Sequence, residues 1–231
     1  MSGHIVAIGG GDLAETRPLL SYVLSLAPRP RPRVCFIPTA SGDAEGYIAR
    51  FYRTFARLDC VPCDLTLFER SVGDLAAFVA EQHVFYVGGG NTANLLVVWR
   101  RHGLDELLRE AYERGAVLSG TSAGMNCWFE ASTTDSFDKS RLEPLEDGLG
   151  LLGGSACPHY DGEEQRRPLY QRLVANGFPP GYAADNQAAI HFEDGRLVEA
   201  ISSSAQARAY RVELEDGSVV ERELPTRLLT G

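Results

Sequence analysis

A serine stands between two glycines directly after a short apolar run, in residues 117–125. Ser122 forms the centre of a G-x-S-x-G pattern with Gly120 and Gly124. The pattern is typical of a sharp turn from a strand into a helix, in which glycines allow close backbone approach and the serine hydroxyl projects from the apex. Such turns are strained, and strain of this kind often accompanies catalysis, so Ser122 is a candidate nucleophile. The alternative is an ordinary helix N-cap, where serine is also common.

A serine hydroxyl is a poor nucleophile by itself and needs a base within hydrogen-bond reach. His159 is the best candidate, because it lies in the polar loop that follows a predicted strand end, within residues 153–161, and Pro158 restricts its approach. The alternative is a loop histidine without a chemical role. The other histidines are expected at strand starts, on a polar helix end or inside an apolar strand, where a base is less useful: His4, His83, His102 and His191.

Acyl chemistry also needs N–H donors for the oxyanion that forms on the attacked carbonyl. The amide of Ala123, next to the nucleophile, supplies the first donor. The glycine turn at 88–90, directly before a predicted helix, supplies the second from Gly89 or Gly90, because glycine lets the amide face the site. The alternative is a phosphate cradle, but this turn lacks the Lys-Ser/Thr pair of a P-loop and the full G-x-G-x-x-G spacing. The glycines at 9–11 fail the same test.

Several motifs follow one another along the chain: VGGGNT at 87–92, GTSAG at 120–124, CWFE and TTDS within 127–136, and CPHYD at 157–161. Together they resemble the peptidase E (aspartyl dipeptidase) family of serine peptidases, to which the cyanophycinases are related. The resemblance runs from the first strand to about Leu197. It implies a fold like that of the class I glutamine amidotransferases, a nucleophile at Ser122, a base at His159 and hydrolysis of short peptides that begin with aspartate.

The third catalytic residue, which orients the histidine, is where this sequence departs from the family. The family places a carboxylate in the segment that matches residues 183–190, and the alignment puts Asn186 at that position, with Asp185 one residue earlier. Neighbours on an extended chain point to opposite faces, so only one of the two faces His159 unless the strand is bulged. Replacing Asp by Asn lowers turnover about 10⁴-fold in a Ser-His-Asp triad, yet cysteine peptidases work with Asn. Both residues remain candidates.

The resemblance also suggests residues for substrate binding. Arg166 matches a family arginine suited to bidentate recognition of an aspartate carboxylate. Its alternative is a solvated helix face that it shares with Arg167, beside acidic neighbours. Asp135 is a candidate to bind the substrate amine or to stabilise its loop, and Asn91, in the glycine-turn motif, is a further candidate for substrate binding.

Apolar, β-rich runs alternate with helical patterns through the first 130 residues, which predicts a mainly parallel sheet covered by helices. Ligands bind beyond the carboxyl ends of such strands, so the glycine clusters and Ser122 are expected to converge there. The predicted strands cover 4–8, 33–37, 83–87 and 116–119, and the predicted helices cover 44–58, 72–80, 92–113 with a break near Gly103, and 166–176.

The rest of the chain predicts short strands at 188–192, 196–201, 207–214 and 218–224, with turns at 193–195 and 215–217. These are expected to form hairpins that close the sheet. The fold class is therefore α/β: three layers, with a mainly parallel sheet flanked by helices, class I glutamine amidotransferase-like by resemblance, and C-terminal antiparallel hairpins.

The composition is that of an ordinary globular protein. With 231 residues, 44% of them apolar and 23% charged, we expect a single peptidase E-like domain over residues 1–231. A net charge of −9 argues against a nucleic-acid or anionic-membrane surface. The start lacks a basic segment followed by a long apolar one, so a cytoplasmic location is expected. Cys60 and Cys63 have redox or zinc spacing, but without a second pair the five cysteines indicate reduced core residues.

The sequence therefore predicts a cytoplasmic serine peptidase that acts on a small peptide, without metal or organic cofactor. One alternative is a related hydrolase of β-aspartyl or isopeptide bonds. Another is a non-catalytic small-molecule binding protein on the same fold. The oligomeric state and the role of the C-terminal segment are left open by the sequence.

Overall fold

Parallel strands of the main sheet end at one edge, where their carboxyl ends carry the glycine clusters and Ser122. The computed structural model describes residues 2–70, 72–162 and 164–230. Elements are numbered along the chain, and within these residues eight strands form the main sheet: β1 (His4–Ile8), β2 (Arg33–Ile37), β3 (Val61–Asp64), β4 (Val84–Val87), β5 (Val117–Thr121), β10 (Ala188–Glu193), β11 (Arg196–Ser202) and β14 (Thr226–Leu228).

The order of the main sheet is β14-β11-β10-β1-β5-β4-β2-β3. Neighbours from β1 through β5, β4 and β2 to β3 are parallel, whereas β10 is antiparallel to both β1 and β11. The predicted mainly parallel sheet is confirmed. Its four predicted strands fall within two residues of β1, β2, β4 and β5, because each is a short apolar run that ends in glycine or small residues.

Helices cover both faces of this sheet, since successive side chains of a buried strand point to opposite sides. Val6 and Ile8 of β1 pack in one apolar cluster, and Ile5 and Ala7 in another. The first cluster includes helices α1 (Arg17–Ser25) and α2 (Glu45–Phe55), and the second includes α3 (Leu75–Ala80), α4 (Thr92–His102), α5 (Leu104–Glu113) and α6 (Ala123–Asn126). No helix in the described residues has the length and apolar character that crossing a membrane requires.

A second sheet packs beside the first and was not predicted from the sequence. Helix α7 (Arg166–Ala175) covers it through Tyr170 and Val174. Six strands in the described residues compose it: β6 (Phe129–Thr134), β7 (Glu143–Leu145), β8 (Leu152–Cys157), β9 (Gly181–Ala184), β12 (Ala209–Glu215) and β13 (Ser218–Leu224), in the order β13-β12-β9-β8-β6-β7.

Both predicted C-terminal hairpins form, but they close different sheets. Asp194 and Asp216 each adopt φ 48° and precede a glycine with positive φ, as tight hairpin turns require. The β10–β11 hairpin extends the main sheet, while β12 pairs with β9 and so carries β13 into the second sheet. The expectation that both hairpins close one sheet was therefore wrong for β12 and β13, because their partner β9 belongs to the second sheet.

Candidate active site

Ser122 occupies a strained turn between β5 and α6. Its backbone has φ 57° and ψ −110°, a conformation that side-chain-bearing residues rarely adopt. A Cβ at Gly120 would lie 2.5 Å from the carbonyl oxygen of Gly124, and a Cβ at Gly124 would overlap the carbonyl oxygen of Val87. Ser122 precedes α6 but makes no side-chain cap hydrogen bond. The geometry therefore matches the predicted strand-to-helix turn rather than an ordinary N-cap.

The end of β1 and the two residues after it position three segments of the site. The carbonyl of Ile8 accepts from the amide of Ser122 at 3.1 Å, and the carbonyl of Gly9 accepts from the amide of His159 at 3.0 Å. The next carbonyl, of Gly10, accepts from the amide of Gln187 at 2.9 Å. Successive Cα atoms are about 3.8 Å apart, so three consecutive carbonyls bring these segments close together. The serine turn, the histidine loop and the turn after β9 are thus fixed to one short stretch of backbone.

His159 pairs with Asn186. The two side chains meet between Nδ1 of His159 and Oδ1 of Asn186 at 2.7 Å. An amide oxygen only accepts, so Nδ1 carries the proton in this arrangement and Nε2 keeps a lone pair for general-base chemistry. The backbone amide of Asn186 donates to Asp161 Oδ1 at 2.8 Å, which fixes the turn that carries the side chain.

Asp185, the other candidate orienter, has a different partner. Its Oδ2 accepts from the backbone amide of Arg208 at 2.9 Å, and its side chain is buried with 5% exposure. The pKa of this carboxyl is raised to about 6, mainly by burial, with the hydrogen bond from the Arg208 amide opposing the shift and the charge of Asp161 adding to it. Of the two candidates left open by the sequence, the structure brings Asn186 to His159 and anchors Asp185 on Arg208.

The glycines at 9–11 cover the histidine–asparagine pair. A Cβ at Gly10 would overlap both Asn186 Oδ1 and His159 Nδ1, and a Cβ at Gly9 would overlap the carbonyl oxygen of Ala184. The strand-end position predicted that this cluster lies near Ser122, but the sequence did not predict its packing on His159 and Asn186. These two residues are more than 140 positions away from Gly10 in the chain, and no local pattern links them to it.

The predicted oxyanion donors lie beside Ser122. A Cβ at Gly89 would be 3.3 Å from the Cβ of Ser122 and 3.8 Å from its Oγ, so the glycine turn faces the nucleophile. Gly90 has φ 141° and packs against Ala40 instead. Of the two glycines, Gly89 is therefore the nearer to Ser122. Within the described residues, the amide of Ala123 has no hydrogen-bond acceptor. The Gly89 amide donates to the hydroxyl of Tyr47 at 3.3 Å, a contact that was not predicted because Tyr47 lies in the predicted helix 44–58, more than 40 positions away in the chain.

Asn91 and Asp135 lie together beside the glycine turn. They line a cavity of about 560 Å³ with Gly90 and the loop at 135–139. Asn91 also has a structural part: its Oδ1 accepts from the amide of Asn94 at the start of α4, and its Nδ2 donates to the carbonyl of Ser136 at 2.7 Å. The two substrate-binding candidates therefore share a cavity that adjoins the predicted oxyanion site.

Arg166 is buried at the start of α7, with 4% exposure, so it does not lie on a solvated helix face. Its neighbour Arg167 is half-exposed, forms an ion pair with Glu221 and lies over the rings of Tyr160 and Tyr210. The alternative of a solvated face therefore does not hold for Arg166. A buried guanidinium is suited to bind a carboxylate, because its charge is weakly screened there.

The five cysteines form no disulfide within the described residues. Four of them are buried and Cys63 is partly buried: Cys35, Cys60, Cys63, Cys127 and Cys157. Across residues 2–70, 72–162 and 164–230, no group of three or more His, Cys, Asp or Glu side chains is arranged to hold a metal ion.

The protein thus has an α/β fold that brings Ser122, His159 and Asn186 to one edge of its main sheet. A profile of peptidase family S51 matches residues 5–200. The chain is 50% identical over 230 residues to the uncharacterized peptidase YgaJ of Bacillus subtilis (strain 168), covering 98% of this chain and 99% of that protein. The chain therefore belongs to peptidase family S51.

Two further comparisons concern the resemblance to peptidase E and the fold. The chain is 32% identical over 160 residues to peptidase E of Streptomyces coelicolor, covering 64% of this chain and 63% of that protein. In fold it is similar to a crystal structure of a peptidase from an acI-B1 Actinobacterium, with a TM-score of 0.76, 16% identity, and 98% and 95% of the two chains covered. These results support both the predicted resemblance to peptidase E and the α/β fold.

Proposed function

We propose that this chain is a serine peptidase that hydrolyses short peptides, preferring dipeptides with an N-terminal aspartate, through an acyl-enzyme on Ser122. The observation that carries the proposal is the attachment of Ser122, His159 and the turn at Asn186 to three successive carbonyls after β1. A hydrolase of this kind needs a nucleophile, a base and an orienter in fixed mutual positions.

In this mechanism the Ser122 hydroxyl attacks the peptide carbonyl while Nε2 of His159 takes its proton. The hydrogen bond from Nδ1–H to Asn186 holds the ring in the tautomer that can act as a base. The amides of Ala123 and Gly89 stabilise the oxyanion. To do so, the Gly89 amide donates its hydrogen bond to the substrate oxygen instead of to the Tyr47 hydroxyl. His159 then protonates the leaving amine, and water hydrolyses the acyl-enzyme.

The proposed preference for aspartate rests on charge complementarity. Asp135 lines the cavity beside the glycine turn, and we propose that it binds the substrate amine. Arg166 is proposed to bind the aspartate side chain, since a planar guanidinium matches a carboxylate in two hydrogen bonds. An uncharged substrate lacks this pairing, so hydrolysis of neutral dipeptides is expected to be slower.

The central test is Ser122→Ala, with Ser119→Ala on the same strand as a matched control. Ser119 is buried and its Oγ has no hydrogen-bond partner in the described residues, so its loss should leave both fold and activity intact. Ser122→Ala should abolish hydrolysis of Asp-Leu while the circular dichroism spectrum is unchanged. Full activity in Ser122→Ala would reject the mechanism.

A fluorophosphonate probe separates an enzyme from a non-catalytic binding protein. We expect it to label Ser122, and we expect His159→Ala to prevent the labelling. Absence of labelling under any condition would favour a binding protein. A panel of Asp-X, β-Asp-X and neutral dipeptides then decides between the proposed activity and hydrolysis of β-aspartyl bonds, in favour of whichever class has the higher kcat/KM.

A further inference from the structure

Four arginines line a pocket of about 260 Å³. One side of the pocket is formed by the turn before α1 and the first residue of that helix, and the other side by α2 and the residues that follow it. They are Arg17, Arg50, Arg53 and Arg57, and Asp12 is the acidic residue among the lining side chains. Three of the arginines follow the helical spacing i, i+3 and i+7, so they project from one face of α2 and the turn after it. The whole chain carries a net charge of −9, which makes a local excess of positive charge here unusual.

These arginines are not used to stabilise the fold through ion pairs. Within the described residues, none of the four forms an ion pair, whereas nine other arginines do. Arg17 lies in the first turn of α1, where a positive side chain opposes the helix dipole. Like charges placed around one pocket repel each other, and an anion bound between them would remove that repulsion.

The pocket adjoins the candidate active site through Tyr47. The guanidinium of Arg50 lies 5.2 Å from the centre of the Tyr47 ring, and the hydroxyl of that ring accepts from the Gly89 amide beside Ser122. On the other side, Asp12 directly follows the glycines that cover the His159–Asn186 pair. Tyr47 therefore lies between Arg50, at one end of the pocket, and the predicted oxyanion donor. A tripeptide extends over roughly 10 Å, so a substrate held at Ser122 is long enough to pass this tyrosine.

We propose that the arginine pocket formed by Arg17, Arg50, Arg53 and Arg57 binds a carboxylate of the peptide substrate, beyond the bond that is cleaved. This inference rests on the proposed peptidase function and extends it to a second charged subsite, separate from Arg166. The carboxylate is either the free C-terminus of a short peptide or an acidic side chain near it. The guanidinium forks suit both, because each presents two parallel N–H donors to two carboxylate oxygens.

The first test uses citrate as an anion probe, measured by calorimetry, so that it does not depend on turnover. The variant Arg53→Gln/Arg57→Gln removes two pocket charges and avoids Arg50, which contacts Tyr47. The matched control Arg101→Gln/Arg196→Gln removes two exposed charges at the end of α4 and at the start of β11. We expect the citrate Kd to rise about tenfold in the pocket variant and to change less than about twofold in the control.

The second test uses peptides on the Ser122→Ala background, which binds without cleaving. Asp-Leu-Ala is compared with its C-terminal amide, and Asp-Leu-Glu-amide with Asp-Leu-Gln-amide. In at least one pair, we expect the peptide that carries the extra carboxylate to bind about tenfold more tightly than its uncharged counterpart. We expect the ratio of the two Kd values to approach one in the pocket variant. The first pair reports a C-terminal carboxylate, and the second reports a side-chain carboxylate.

The outcomes separate this inference from the proposed function. If wild-type protein does not bind citrate, or if the pocket variant and the control show the same acid-to-neutral ratios, the carboxylate subsite is rejected whatever the protein hydrolyses. If citrate binding depends on Arg53 and Arg57 but no peptide is hydrolysed or bound, the peptidase proposal fails and the role of the pocket in substrate binding fails with it. Arginine-dependent ratios together with hydrolysis support both.

Discussion

Asn186 gives the candidate site an uncharged orienter, and this has direct chemical consequences. An amide fixes the ring of His159 through one acceptor oxygen, but it contributes no negative charge to stabilise an imidazolium. If the amide turned over, its NH₂ group would favour the wrong histidine tautomer, whereas a carboxylate has two equivalent acceptors. The neighbouring contact from the Asn186 amide to Asp161 helps to hold the turn in place.

We therefore predict different effects for two substitutions of this residue. Asn186→Ala should lower kcat by up to about 10⁴-fold, the cost of losing the correct tautomer in a related triad. Asn186→Asp should keep kcat within about tenfold and move the acid limb of the kcat/KM profile to higher pH, because a carboxylate stabilises the imidazolium. The measurement is a pH–rate profile for each variant. Equal activities for Asn186→Ala and wild type would remove Asn186 from the mechanism.

A second prediction concerns the glycine that covers this pair. The Cβ of Gly10→Ala would overlap both Asn186 Oδ1 and His159 Nδ1, so we expect kcat to fall by at least about 100-fold as the histidine is displaced. Gly46→Ala in the first turn of α2 is the control, since its Cβ would meet nothing within 4 Å and alanine should not destabilise the helix. Steady-state kinetics and thermal unfolding check both variants. Unchanged kcat in Gly10→Ala would contradict the arrangement described above.

At the scale of elements, the start of α4 links helix stability to the cavity beside the glycine turn. Asn91 caps the helix with its oxygen and holds Ser136 of the cavity loop with its nitrogen. Asn91→Ala should lose about 1 kcal/mol of unfolding free energy, whereas Asn91→Asp keeps the cap and loses only the donor to the loop. We expect Asn91→Asp to raise KM for Asp-Leu with little change in stability. Urea unfolding and kinetics separate the two effects, and an unchanged KM would leave Asn91 a structural role alone.

Elements differ in how far the sequence predicts them, and the reason is the range of the interactions involved. The strands that end at Ile8 and Val87 were predicted, because a short apolar run and a following glycine are local signals. For strand β8 the sequence indicated only a strand end before His159, since LGGSAC lacks alternation and the strand is held by parallel pairing with β6 and β9. In the site, Ser122 and His159 were predicted from motifs. The pairing of His159 with Asn186 rather than with Asp185 depends on two tertiary contacts, from His159 to Asn186 and from Arg208 to Asp185, which no local pattern encodes.

At the scale of the whole molecule, the two ends of the main sheet carry different polar networks. The end opposite Ser122 holds a chain of hydrogen bonds from His4 through His191 and Tyr22 to Glu199. Tyr22 donates its only hydroxyl proton to Glu199, so it accepts from Nδ1–H of His191. Burial, and then the neighbouring His4, lower the pKa of His191 to about 4. His191 is therefore neutral near pH 7, and its Nε2 accepts from His4.

His191 and Asp185 should therefore have opposite effects on stability between pH 4 and pH 6. The pKa of His191 lies below its ordinary 6.5, so the unfolded state binds more protons and its contribution is lost as pH falls. The pKa of Asp185 is raised from 3.8 to about 6, so the folded state binds more protons and its contribution is lost as pH rises. Urea unfolding from pH 4 to 7 should show a shallower acid-side decline in His191→Gln and a steeper one in Asp185→Asn than in wild type. Identical slopes in all three proteins would show that neither buried group is linked to folding, whereas the expected pair of changes would show that the acid stability of the molecule is set at both ends of the main sheet.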